Sequence, residues 1–220
     1  MSHLFRDDSF TAASLVERGL IWGGITCADG KWNTQEREHY GRIAGSAVAK
    51  KRKDFDLLNP QRIIKRLGSA GFDRIIREFS NGRQLSRQSL LSLQSAAGEQ
   101  RYILFSHLVR DDVTHNNHRE SEKKDGEKKY QTVYKSKREI IVYSEVYDLD
   151  EIKLVWSGEI KKTKTETNRN PHHHENDIFK DVLNELVEDA VFGEYPEPPP
   201  ISLLLERAFK GIAGNLLHSS

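Results

Sequence analysis

One cysteine in 220 residues excludes an intrachain disulfide and any zinc or iron–sulfur site built from several thiolates. No run approaches the roughly 18 consecutive apolar residues of a membrane-spanning helix. Residues 1–10 carry Arg6, Asp7 and Asp8 where a signal peptide would have its apolar stretch. Net charge is nearly absent, with 34 Lys+Arg against 33 Asp+Glu. This excludes a protein that holds nucleic acid by bulk positive charge. Hydrophobic residues make up 36% of the chain and mean hydropathy is −0.68, values that are low yet too high for a wholly disordered chain. The expectation is a soluble globular protein of one large domain, with charged loops.

What charge there is falls unevenly. Residues 42–101 hold thirteen Lys/Arg and five Asp/Glu, a balance of +8, and residues 175–220 hold three and nine, a balance of −6. Such asymmetry marks either a partner surface or solvated helix faces, and the second is the commoner case.

Apolar spacing then sets out the elements. Residues 19–27 (GLIWGGITC) are too short for a helix and suit a buried strand. Asn33 or Thr34 offers an N-cap to an amphipathic helix over 34–50, on which Tyr40, Ile43, Ala44, Ala47 and Val48 recur at helical spacing. Residues 55–58 predict a short strand, and Asn59-Pro60 predicts N-cap and first residue of the next helix. Two further helical stripes follow, Phe72 to Phe79 and Leu90 to Leu93. Residues 101–109 (RYILFSHLV) are the strongest strand signal. The polarity of 111–129 predicts a mobile charged loop, because it has little to bury. Residues 130–147 and 154–160 predict two strands of a long antiparallel hairpin about a polar turn at 148–153. A helix is expected over 178–191, then a stiff connector with Pro196, Pro198, Pro199 and Pro200, then a helix over 201–217 with Leu205, Phe209 and Ile212 on one face. The expected class is α/β: a mixed sheet with helices on its faces and an extra C-terminal helix. The expected organisation is a polar segment 1–18, a main domain 19–193 and a connector with helix 194–220. Leu205, Phe209 and Ile212 form an apolar stripe that must dock, on its own domain first and on a neighbouring protomer second.

Candidate chemistry is sparse. Gly23-Gly24 lies in GGITCADG, which has neither the phosphate-loop nor the dinucleotide glycine spacing, so close backbone packing explains it better. Cys27 has no histidine in a recognisable pattern to make it a thiolate and reads as a small buried hydrophobe. Lys50–Lys53 (KKRK) suits a helix C-terminus as well as nucleic acid or anionic lipid. His115 and His118, with His172, His173 and His174, are weak metal candidates, since adjacent histidines project apart. The carboxylates Asp111-Asp112 and Asp148, Asp150 and Glu151 fall in predicted polar turns, and no catalytic set or cofactor-binding motif emerges.

A resemblance appears in the hairpin. Val146-Tyr147-Asp148-Leu149 ends one strand, and Leu154-Val155-Trp156-Ser157-Gly158 forms the next. This resembles the Tyr-Asp-Leu … Val-Trp-Ser-Gly hairpin of bacterial envelope lipoproteins such as the curli-secretion protein CsgG, the penicillin-binding-protein activator LpoB and the TolB N-terminal domain. The resemblance covers residues 19–192. It implies an anticodon-binding-domain-like α/β fold and a non-catalytic interaction module on the periplasmic side of the outer membrane. It also implies anchoring by a lipidated N-terminal cysteine. Cys27 lies inside a predicted strand and is not that anchor, so an anchor would belong to a leader before Met1, and without one the chain would be cytoplasmic. Residues 111–137 are too charged for the transmembrane hairpin of a curli pore. The implied partner is an envelope protein or a second copy. A metal-dependent enzyme using the histidines, and a cytoplasmic nucleic-acid or nucleotide binder using Lys50–Lys53, are the competing expectations.

Overall fold

A computed structural model describes residues 2–28, 32–82, 84–124, 127–171 and 195–216; of 2–4, 122–124, 127–129, 170 and 171 it describes the backbone alone. Six strands form one mixed sheet in the order β1-β6-β5-β4-β2-β3. They are β1 (Ser2–Arg6), β2 (Leu20–Cys27), β3 (Leu57–Leu58), β4 (Tyr102–Lys124), β5 (Glu127–Asp148) and β6 (Lys153–Pro171). The helices are α1 (Ala12–Arg18), α2 (Thr34–Lys51), α3 (Gln61–Leu67), α4 (Ser69–Gly82), α5 (Arg87–Ala97) and α6 (Ile201–Asn215). The expected class therefore holds: a mixed sheet with helices on its faces.

The chain divides into two compact units. The first comprises Met1–Asp111, Ile140–Lys162 and Ile201–Ser220, and the second Asp112–Glu139 with Thr163–Pro200. The expected division at residues 18 and 193 is not the one seen. Residues 2–18, expected to form a separate polar segment, supply β1 and α1 to the first unit. Phe10 and Leu15 are buried there, and β1 pairs antiparallel with β6.

In the first unit the strand period of two separates two cores. Tyr102, Leu104 and Leu108 of β4 pack in a cluster with α1, α2 and α6. Ile103 and Phe105 pack in a second cluster with α3, α4 and α5. A run that is apolar at every position is what a strand covered on both faces requires. The caps explain where the helices begin. Asn33 Oδ1 accepts from the Glu36 N–H at 2.9 Å while Glu36 Oε2 accepts from the Asn33 N–H at 2.9 Å, a reciprocal capping box. Ser86 caps α5 by accepting from the Ser89 N–H at 3.3 Å.

Local departures from expectation have local causes. β3 is two residues long, not four, because Phe55 turns into the core beneath the Arg52 guanidinium, 4.9 Å above its ring. The N-cap of α3 is Pro60, one residue later than expected; Asn59 Oδ1 instead accepts from the Gln61 N–H at 3.0 Å. Residues 111–129, expected as a mobile loop, are strand wherever they are described, in β4 to Lys124 and in β5 from Glu127. A ladder satisfies the backbone whatever the side chains are, so a polar stretch can be a strand when it needs no core. In the second unit His115 Nδ1 lies 2.8 Å from Ser136 Oγ, and the Tyr134 and Tyr195 rings meet edge to face at 5.4 Å. The helix expected over 178–191 lies outside the described residues.

β5 and β6 are hydrogen-bonded neighbours joined by four residues, which makes them antiparallel. Trp156 is fully buried in the cluster that includes α6. The turn has no glycine, and Ile152 takes the positive φ of 53° that glycine would favour.

Candidate functional site

Three of the ionisable residues that the fold buries, His107, Glu145 and Asp148, are held inside the sheet. Asp148 closes β5 with no exposed side-chain surface and accepts from Arg101 Nε at 2.8 Å. Its Oδ1 also accepts from the N–H of Asp150 at 2.9 Å and of Glu151 at 3.2 Å, which shapes the turn. This carboxylate raises the Arg101 pKa still further above its ordinary value. Glu145 is buried on β5 and accepts from the Tyr143 hydroxyl at 2.6 Å and from the Tyr147 hydroxyl. Burial pushes its carboxyl up, against the two hydroxyls that lower it. The Tyr147 oxygen accepts in turn from the Leu85 N–H at 2.9 Å, fixing the connection between α4 and α5. Burial and the neighbouring Glu145 push the Tyr147 hydroxyl up as well. His107 of β4 lies with Nδ1 2.7 Å from Thr26 Oγ1 of β2, and Ser106 Oγ is 2.8 Å from Ser144 Oγ.

Glu145, His107 and the two serines are not singled out by any sequence motif. The available signal was their position: a polar residue inside a run that must be buried has to find a hydrogen-bond partner.

The candidates that the sequence suggests are dispersed. Gly23 and Gly24 are at a break in the β2–β4 register. A Cβ on Gly23 would lie 2.7 Å from the Phe105 ring, and Gly24 has φ 116°, so backbone packing accounts for both. Cys27 is buried in β2. Within Lys50–Lys53, Arg52 is 8% exposed; it holds Asp54 in a two-pronged ion pair and donates to the Ala213 carbonyl at 3.3 Å. That arginine belongs to the core, not to a basic patch. His115 meets the Tyr195 ring at 5.1 Å with the planes tilted by 56°, and His118 Nε2 pairs with Glu120 Oε1 at 2.8 Å on the surface. His172, His173 and His174 lie outside the described residues. Among the described residues, no three potential ligands gather as a metal site would need. Leu205, Phe209 and Ile212 are fully buried within the first unit, where Phe209 meets Trp22 edge to face at 5.3 Å.

Among the described residues, two cavities of the first unit have charged side chains at their rims. The smaller, about 420 Å³, lies between α2 and α6 and carries His39, Arg42 and Lys50 beside Glu206. The larger, about 700 Å³, is a groove between α2 on one side and β3, α3 and α4 on the other, with Trp22–Ile25 of β2 along it. Its apolar wall is Leu58, Ile64, Phe72 and Ile76. The facing wall of α2 is small, with Gly41, Gly45 and Ala49, and the Trp22 indole lies 3.4 Å from where a Gly45 Cβ would be. Arg37 and Arg42, with Glu38 and Asp73, stand at the groove.

Among the described residues, no helix is long and apolar enough to cross a membrane. No protein-family profile and no curated protein sequence matches the chain. Solved structures are similar to it at low identity and low TM-score. The LpoB C-terminal domain from Salmonella enterica is 14% identical over 65% of this chain and 80% of its own, with a TM-score of 0.37. The lipoprotein GNA1162 from Neisseria meningitidis is 8% identical over 78% of this chain and 96% of its own, with a TM-score of 0.37. The PelC dodecamer from Paraburkholderia phytofirmans is 10% identical over 92% of this chain and 89% of its own, with a TM-score of 0.39.

Proposed function

We propose that the chain is a non-catalytic protein-interaction module of the bacterial cell envelope, acting through an envelope protein or a second copy of itself. One observation carries the reading. The buried ionisable groups Glu145, Asp148 and His107 line neither cavity; each is engaged in holding strands or turns. An acid–base catalyst needs such a group within hydrogen-bond reach of a bound substrate. The cavities instead offer apolar side chains, small residues and exposed charge, which is the chemistry of a docking surface. The Tyr147-Asp148-Leu149 and Val155-Trp156-Ser157 residues that resemble envelope lipoproteins are structural here, and they support kinship of fold, not a shared reaction.

The test is crosslinking in living cells of the bacterium that encodes the chain, followed by envelope fractionation and mass spectrometry. The expected result is recovery of the chain with the envelope fraction, crosslinked to an envelope protein or to itself. Recovery only among cytoplasmic proteins, with no crosslinked species, would overturn the proposal.

A further inference from the structure

The smaller cavity differs from the larger groove in its charge. The groove sets Arg37 and Arg42 against Glu38 and Asp73. The smaller cavity has Arg42 and Lys50 on its α2 wall, with His39 and the Ser46 hydroxyl beside them, and a single carboxylate, Glu206 of α6, among its described lining residues. That carboxylate is already engaged. Glu206 Oε1 accepts from Lys210 Nζ at 2.6 Å, and Lys210, Lys50 and Arg207 together hold it below its ordinary value. Arg42, Lys50 and Arg207 are exposed, and among the described residues none of the three makes a side-chain hydrogen bond or an ion pair. Four cations thus stand about one carboxylate, and the excess positive charge at this junction of two helices attracts an anion.

We propose that the cavity between α2 and α6 binds a ligand carrying two linked phosphate groups, recognised by Arg42 and Lys50. The proposal goes beyond the reading of the chain as a protein-interaction module and does not depend on which protein that module meets. Three features select the ligand. Unpaired arginine and lysine recognise phosphate, the first by its planar fork of donors and the second as a point charge. Arg42 and Lys50 are eight residues apart, about 12 Å along a helix, so their heads suit two phosphates better than one. The third feature is size: about 420 Å³ is the scale of a small-molecule site, and Ile43 and Ala47, between the two cations along α2, give it an apolar floor for the carbon part of the ligand. Such a pair of phosphates comes from a soluble diphosphate or from a lipid headgroup that carries two.

The experiment titrates the full chain with inorganic pyrophosphate at physiological ionic strength, read by isothermal titration calorimetry. Saturable binding is expected, tighter than that of orthophosphate. Arg42→Gln and Lys50→Gln should each weaken it about tenfold. Glu206→Gln should strengthen it, because that carboxylate repels the ligand and its loss frees Lys210. Arg62→Gln removes the same charge from an exposed α3 position outside the cavity and should leave binding unchanged. Melting temperatures of the four variants check that each is folded. Absence of saturable binding overturns the proposal. Equal weakening by Arg62→Gln and Arg42→Gln also overturns it, since that would be attraction to the net charge of the chain. Equal affinity for orthophosphate overturns the two-phosphate ligand. Cosedimentation with phosphatidylcholine vesicles that contain cardiolipin, lost on Arg42→Gln, assigns the site to a lipid headgroup; pyrophosphate binding without cosedimentation assigns it to a soluble diphosphate. None of these failures touches the crosslinking result above, which reads protein contacts.

Discussion

Asp148 is the residue on which most of the hairpin depends. Its carboxylate pairs with Arg101 and takes two turn amides, so its removal leaves a cation without its buried partner and two donors without an acceptor. Asp148→Ala should cost about 3 kcal/mol, the scale of a broken buried ion pair. Asp148→Asn should cost less, because its amide oxygen still accepts from the turn; urea midpoints of the two variants check this. Glu145 sets the pH dependence. Burial raises its folded pKa from the ordinary 4.5, so its stabilisation is fully present below that value and declines as pH rises through the folded one. Asp7 works in the opposite direction. Hydrogen bonds from the Ser9 hydroxyl and amide, aided by Lys153, hold it at about 2, so its contribution is present above the ordinary 3.8 and is lost as pH falls toward 2. Glu145→Gln should therefore flatten the decline on the alkaline side while leaving the acid limb in place, in denaturation curves taken between about pH 2 and pH 8. Gly23→Ala belongs to the same scale. The new methyl meets the buried Phe105 ring at 2.7 Å, and a destabilisation of about 1–3 kcal/mol is expected. Gly211→Ala should cost less despite a closer approach, because its neighbour is the terminal methyl of Ile160, which a rotamer change moves.

Among the elements, α6 shows how a stripe becomes a core. Its buried residues include Ile201, Leu204, Leu205, Ala208, Phe209, Ile212 and Ala213, which fall together on a 3.6-residue period. They meet α2 and the Trp22 indole within one unit. Arg52, just past the end of α2, caps the contact through the Ala213 carbonyl. Phe209→Ala should cost about 3–5 kcal/mol, as large-to-small changes in a packed core do, with a matching fall in melting temperature. Removal of residues 201–220 should expose the α2 face and give strong binding of an apolar dye. Unchanged stability with loss of self-association would place the helix in an interface between copies.

At the scale of the whole molecule the two units differ in what holds them. The first has two buried clusters on the two faces of its sheet. In the second, Val133 and Ser136 are the fully buried side chains of described strand residues, and most others there are exposed or half-buried. Strand pairing, the His115–Ser136 bond and the Tyr134–Tyr195 contact hold it. Local opening is governed by buried apolar contact more than by hydrogen-bond count. Amides at 113–120 should therefore exchange faster than those at 102–108 of the same strand, in native-state hydrogen exchange followed by mass spectrometry. Equal protection along the strand would refute that division.

Much of the first unit was legible along the chain, because its rules are local. Asn33 with Glu36 marks the start of α2, the 3.6-residue stripes mark α4 and α6, and the continuous apolar run at 102–105 marks a strand covered on both faces. Other features depended on partners far away in sequence. Polarity at 111–129 predicts a loop, but cross-strand hydrogen bonds satisfy that backbone without any core. Lys50–Lys53 reads as four cations, but packing takes Arg52 into the core against Phe55, Asp54 and Ala213. The run around Glu145 places it inside, but its partners, two flanking tyrosines of which Tyr147 is tied to the α4–α5 connection, come only with the fold. The groove along β2 has no sequence signature at all: its walls come from β2, α2, β3, α3 and α4, and a space enclosed by five elements is a property of their packing, not of any one of them.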